Sequence, residues 1–101
     1  MLRWRGRDQD HHLAERDIES IGDYIAQDNP TRAVTFVDEL RQAVEVLASF
    51  PEAFPRVAGY EKSNVRFHTH GRYVIYFRVF PDRVSVLRVL HGSQDYRRHL
   101  R

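Results

Sequence analysis

Cysteine is absent from the 101 residues, which excludes disulfides and thiolate metal sites and suits a reducing cytoplasm. Lysine is nearly absent: Lys62 stands alone among sixteen basic residues, and the other fifteen are arginine. Arginine stays protonated in proteins, so the chain has almost no amine able to act as a base or nucleophile. Long apolar runs are missing. No stretch approaches the roughly 18 residues that a membrane helix needs, and the start, MLRWRGRDQD, lacks the apolar core of a signal peptide. The expected location is the cytoplasm, with no membrane partner. Internal repeats, low-complexity tracts and linkers are also lacking, which leaves a single domain over residues 1–101.

What is present suffices for one modest core. Hydrophobic residues make up 42% and charged residues 30%, too apolar a mixture for disorder. The net charge of +2 conceals an uneven split. Residues 1–50 carry six Arg against ten Asp or Glu, whereas residues 51–101 carry ten Arg or Lys against four. Either a negatively charged partner meets the basic second half, or acidic helices neutralise a basic sheet.

From about Asp10 the pattern is helical. Ala14, Ile18, Ile21 and Ile25 recur at spacings of four, three and four and make one apolar stripe, with Asp8 or Asp10 available as a cap. This helix should stop near Gln27. Asn29-Pro30 then restarts the chain as a second helix, Asn as its cap and Pro at its first position, where it has no amide proton to lose. Ala33, Phe36, Val37, Leu40, Val44 and Leu47 share one face of it, and Phe50-Pro51 ends it. So short a link forces an antiparallel helical hairpin. Residues 51–64 read as a loop. Three β-rich runs follow, Val65–Thr69, Tyr73–Phe80 and Val84–His91, separated by a turn at His70-Gly71 and another at Pro81-Asp82-Arg83. The middle run, YVIYFRVF, is expected at the centre of the sheet. Residues 2–5 (LRWR) suggest a further short strand, and residues 93–100 a closing helical turn capped by Ser93. The fold class is α+β: an N-terminal antiparallel helical hairpin packed on one face of a small, mostly antiparallel sheet.

The order of these elements and several motifs resembles the RelE/ParE toxin superfamily, and more closely its ParE branch. Ala14, Asp17-Ile18, Ile21 and Tyr24-Ile25-Ala26 match the first helix of that family, and Asp28-Asn29-Pro30 its interhelical link. Phe36-Val37 and Leu40 match the second helix, and Leu47-Ala48 and Pro51 its exit. Arg66, Tyr73, Ile75 and Phe77-Arg78 match the sheet pattern, and Arg88-Val89-Leu90-His91-Gly92 with Asp95 the closing motif. The polar run Arg5 to His12 departs from it, because family members open on an apolar strand.

The resemblance implies the toxin of a type II toxin–antitoxin pair, bound as a hetero-oligomer by a cognate ParD-like antitoxin, with no cofactor. ParE toxins trap DNA gyrase on cleaved DNA, whereas RelE toxins cut messenger RNA on the ribosome; a shared fold does not choose between them. Cutting RNA needs a base, an acid and clustered cations. RelE-like enzymes supply these with Lys and Arg clusters, a Tyr, or a Glu–Arg–His–Tyr set. By that resemblance only Arg66 and His91 match, Gly92 stands where a tyrosine would follow the histidine, and Glu52 is an unanchored spare base. For a gyrase binder, the resemblance draws attention to the C-terminal region, and the target-binding candidates are His91, Tyr96, Arg97 and Arg98. Their plain alternative is a solvated tail.

Two further readings carry less weight. His68 and His70 alternate on one strand and, with His91, form a conceivable metal set, but no acid stands at a fitting spacing and no metal is expected. Phe67, Tyr73, Tyr76, Phe77 and Phe80 suit base stacking, yet a sheet covered by helices needs most of them as core.

Overall fold

The computed structural model describes residues 12–100. The strand expected at residues 2–5 and the caps expected at Asp8 or Asp10 lie outside the described residues. Helix α1 (His12–Ala26) buries Ala14, Ile18 and Ile21 of the stripe that the spacing marks, while Ile25 at its end is only partly buried. Helix α2 (Pro30–Ser49) starts as Asn29-Pro30 dictates: Asn29 Oδ1 accepts the Arg32 N–H at 3.0 Å, and Pro30 opens the first turn. Its inner face is Ala33, Phe36, Leu40, Val44, Leu47 and Ala48. The Phe50 N–H returns to the Val46 carbonyl and closes it, as the following proline requires.

The loop over 51–64 is more ordered than its composition suggests. It contains two short 3-10 turns, Pro51–Ala53 and Glu61–Ser63, and an isolated bridge between Arg56 and Arg66. The Val57 N–H donates to Val65 O at 2.8 Å and the Phe67 N–H to Pro55 O at 3.1 Å. These bonds lay the loop along the outer edge of the first strand. Asn64 leaves the second turn with a left-handed φ of 54°, a conformation asparagine tolerates.

Strands β1 (Val65–His70), β2 (Tyr73–Val79) and β3 (Val84–His91) form an antiparallel sheet in the order β1-β2-β3, with β2 central. The first hairpin turns at Gly71-Arg72, one residue later than His70-Gly71. His70 still pairs with Tyr73, and Gly71 takes a φ of +58°, the left-handed value that a II′ turn needs at its first central residue. In β3 the register slips: Tyr76 faces Arg88 but Phe77 faces Val86, which leaves Leu87 as an extra, bulged residue.

The sheet divides two cores. On one face, Ile75, Phe77, Val84, Val86 and Val89 meet the helical hairpin. On the other, Val57, Val65, Tyr76, Leu90 and Leu100 form a second cluster, with Tyr60, Phe67 and Tyr96 packed against it. The second core has no counterpart in the helix-on-one-face expectation. It arises because the loop and the C-terminal segment fold back over the sheet. The closing turn is also shorter than expected, Tyr96–Arg98, and Asp95 rather than Ser93 caps it. The Ser93 hydroxyl is engaged by His91 Nδ1 at 2.7 Å, while Asp95 Oδ1 accepts the Arg97 N–H at 3.0 Å.

Candidate functional site

Arg66 is 8% exposed, and its guanidinium is spent on the fold. Its Nη1 donates to Phe54 O at 2.6 Å and to Glu52 O at 3.3 Å, and its Nε donates to Asn64 Oδ1 at 3.0 Å. It pins the exit of α2 to β1. Glu52 itself is exposed in the first 3-10 turn. His91 lies elsewhere. It pairs with Tyr73 across the sheet, whereas Arg66 pairs with Phe77, four residues or roughly 13 Å along β2 and two strands away. The His91 imidazole packs edge-on against Tyr73 at 5.4 Å and bonds Ser93. The structure therefore does not bring Arg66 and His91 together.

The C-terminal candidates do share a region. Tyr96 lies against Tyr76 (5.7 Å between rings) and Tyr60 (6.2 Å), and its hydroxyl donates to Ala58 O at 3.1 Å. Arg97 and Arg98 stand exposed on the turn that Tyr96 anchors, the Arg97 guanidinium 5.5 Å from the Tyr96 ring centre. The Tyr60 hydroxyl donates to Leu100 O at 3.0 Å, and Leu100 is buried. The two arginines thus project from a braced turn and not from a solvated tail.

Beside this turn a cavity of about 530 Å³ opens on the second face of the sheet, with Phe67, Tyr76 and Tyr96 in its walls and Arg56, Gln94 and Asp95 as polar groups. Burial first, and then the neighbouring Tyr96 and Asp95, push the Tyr76 phenol above its ordinary pKa. Phe67 and Tyr76 belong to this face, whereas Phe77 and Tyr73 pack on the helical side.

The histidines do not converge on a metal. His68 packs edge-on against Phe54 at 4.9 Å, and His70 Nε2 meets Glu39 Oε1 at 2.9 Å. Among the described residues no group of three or more His, Asp or Glu side chains could hold a metal ion.

Two polar assemblies escaped the sequence reading. Arg32 and His70 share the Glu39 carboxylate, linking α2 to the end of β1 beside Phe36, whose ring lies 5.4 Å from His70. Asp17 on α1 binds Arg88 on β3. Asp17 and Arg88 both lie within the motifs, but nothing in a single sequence pairs residues 71 positions apart.

A family model described as "ParE toxin of type II toxin-antitoxin system, parDE" matches residues 11–96. The chain belongs to the ParE toxin family. A relative printed as "Putative toxin Y4kP", from Sinorhizobium fredii (strain NBRC 101917 / NGR234), is 30% identical over 95 residues, 94% of this chain and 91% of that protein. A type II toxin family implies an antitoxin partner. No helix among the described residues is long and apolar enough to cross a membrane.

Proposed function

We propose that this ParE-family toxin poisons DNA gyrase and is silenced in the cytoplasm by an acidic, ParD-like antitoxin lying across the helical hairpin and sheet. The observation that carries the target is the contrast between the two sets of candidate residues. Arg66 holds two backbone carbonyls and an asparagine, and His91 stands some distance from it, held by Ser93 and Tyr73. Neither is poised on a common phosphate, which argues against ribonuclease chemistry. Arg97 and Arg98 are exposed on a braced turn, and a planar guanidinium fork makes paired bonds to the carboxylates or phosphates of a macromolecular target. For the antitoxin, the hairpin exposes Leu13, Tyr24, Val34 and Val46, apolar surface that a partner helix would cover.

Expression without antitoxin should give filamentous cells and a DNA-damage response while translation continues, and purified chain should inhibit supercoiling or accumulate cleaved DNA. Transcripts cut at ribosome-bound codons, with gyrase untouched, would establish the ribonuclease reading instead. Co-expression with the adjacent gene should yield a stoichiometric complex. A chain that purifies alone, stable and harmless, would refute the pairing.

A further inference from the structure

Three features of the molecule have no role in the proposed function: the cavity on the second face of the sheet, which shares only Tyr96 with the target-binding candidates, an apolar groove where α2 meets the β2–β3 turn, and the Arg32–Glu39–His70 chain. The groove, about 490 Å³, is lined by Phe50, Pro51, Phe80 and Pro81. The cations stacked on Phe80, Arg78 and Arg83, are offset by Asp82 against Arg83 and by Glu52 on the rim, so nothing selects an occupant. The Arg32–Glu39–His70 chain satisfies its own charges. The cavity remains, and its chemistry is specific.

We infer that this cavity binds a single nucleotide, with the base held among Phe67, Tyr76 and Tyr96 and the phosphate on Arg56. Size is the first argument. At about 530 Å³ it falls within the usual range of small-ligand pockets and would be left mostly empty by one side chain of a protein partner.

The walls are the second argument. Three aromatic rings from two strands and the C-terminal turn converge there, Tyr76 and Tyr96 with ring centres 5.7 Å apart and tilted by 36°. Flat rings of this kind stack on any base, because every base has a π-face.

The polar groups are the third. Asp95 Oδ1 already caps the closing turn, but a carboxylate has a second oxygen to offer. Gln94 Oε1 accepts the His91 N–H at 2.9 Å, which leaves its amide N–H groups as donors. An acceptor and a donor on adjacent residues complement the hydrogen-bonding edge of a base. They do not suit an apolar side chain, which would strand the Asp95 carboxylate away from water.

Arg56 completes the site. Its backbone is fixed against Arg66 by the bridge to β1, and among the described residues no side chain pairs with its guanidinium. A phosphate oxygen pair is a natural partner for that fork. The same chemistry is offered by a free mononucleotide and by an unstacked nucleotide of a single strand. The inference does not depend on which enzyme the toxin poisons.

The test is amide NMR of the full chain with each of the four nucleoside monophosphates, with ribo- and deoxytrinucleotides, and with inorganic phosphate. The amides of Ala58, Gly92, Gln94 and Tyr96 should shift saturably, with one base preferred. Arg56→Ala, an exposed change, should weaken binding about tenfold, a difference of about 1.4 kcal/mol. Asp95→Asn retains a good capping side chain but swaps an acceptor for a donor, so it should change which base is preferred. Equal affinity for mononucleotide and trinucleotide identifies a free ligand; much tighter trinucleotide binding identifies a strand. The inference fails if these amides stay still at millimolar nucleotide, if inorganic phosphate gives the same response, or if Arg56→Ala binds as tightly as the parent. It also fails if the antitoxin shifts the same amides and nucleotides do not.

Discussion

Asp17 on α1 and Arg88 on β3 meet through two parallel bonds, Nε to Oδ2 at 2.8 Å and Nη2 to Oδ1 at 2.9 Å. The same carboxylate accepts the Val89 N–H at 2.9 Å, so one side chain ties both the side chain and the backbone of β3 to the first helix. Arg88 is raised above the ordinary arginine pKa first by this hydrogen bond, against the opposing effect of burial. With side chains 20% and 14% exposed, the pair sits between a surface contact and a buried one. Asp17→Ala leaves a partly buried guanidinium and an amide without their acceptor. We expect a loss of about 2–3 kcal/mol, below the full cost of breaking a buried pair. For a domain of this size that lowers Tm by roughly 8–24 °C. Asp17→Asn, which keeps an acceptor for Val89, should lose less. Thermal and urea unfolding check both; a loss below about 0.5 kcal/mol for Asp17→Ala would show that the contact is ornamental.

Glu39 gives an acid-range signature. The hydrogen bond from Arg32, and then that from His70, lower its carboxyl from 4.5 to about 2. A depressed carboxyl adds stability that is complete above its unfolded pKa and disappears as pH falls through the folded value. The window is therefore from about 4.5 down to about 2. Tm measured across it should fall less steeply in Glu39→Gln than in the parent. The effect is small because the group is exposed and the pair is screened by solvent. Parallel curves would refute the assignment.

His68 should titrate below an ordinary histidine. Burial is the larger cause, and the charge of His70 adds to it. In an NMR titration His70→Gln should return part of the shift and leave the rest. A His68 that titrates at the ordinary value in the parent would contradict its half-buried placement.

The C-terminal turn should prove part of the fold. Leu100→Ala removes a side chain that is 3% exposed and should cost about 2–3 kcal/mol. Tyr60→Phe removes only the hydroxyl that holds Leu100 O and should cost about 1 kcal/mol. Denaturant midpoints at an unchanged slope are the measurement. Truncations in this segment would confuse unfolding with loss of target binding, so point changes are needed.

The double change Arg97→Ala with Arg98→Ala should separate the two. Both side chains are exposed, and folding should shift by no more than about 0.5 kcal/mol per site. Each lost charge-assisted bond to the target should cost about 1–3 kcal/mol, or about five- to 150-fold in affinity per bond. Toxicity should fall while antitoxin binding and Tm persist. Full toxicity would remove these arginines from the target surface.

The sequence carried most of the architecture, because local signals coincide with the global fold. The apolar stripes of α1 and α2, the Asn29-Pro30 restart and the Phe50-Pro51 stop all lie within one or two turns of chain and act through local geometry. The strands were legible for the same reason, while the errors sit where tertiary contacts decide. Leu100 sits among charged residues in the sequence, and only the tyrosine hydroxyl at position 60 and the second core explain its burial. Ser93 has the right chemistry for a cap, but His91 claims it first. Arg66 is a plain strand arginine until the loop carbonyls of Glu52 and Phe54 are brought to it. The cavity is legible in the sequence only as separate aromatics, since its walls come from β1, β2, the loop and the closing turn.

The position of β2 has a consequence for how the molecule fails. It has a strand on each edge and a core on each face, so the backbone amides of its middle residues, Ile75 to Phe77, can reach water only by opening of the whole domain. Their amides should be among the slowest to exchange with deuterium, at rates that report global unfolding. The segment YVIYFRV carries one charge, no proline and no glycine, which is the composition of strands that template stacking between chains. Heating this toxin past its midpoint should therefore end in precipitate more readily than in reversible unfolding, and its working lifetime is governed by the barrier to opening and not by the equilibrium alone.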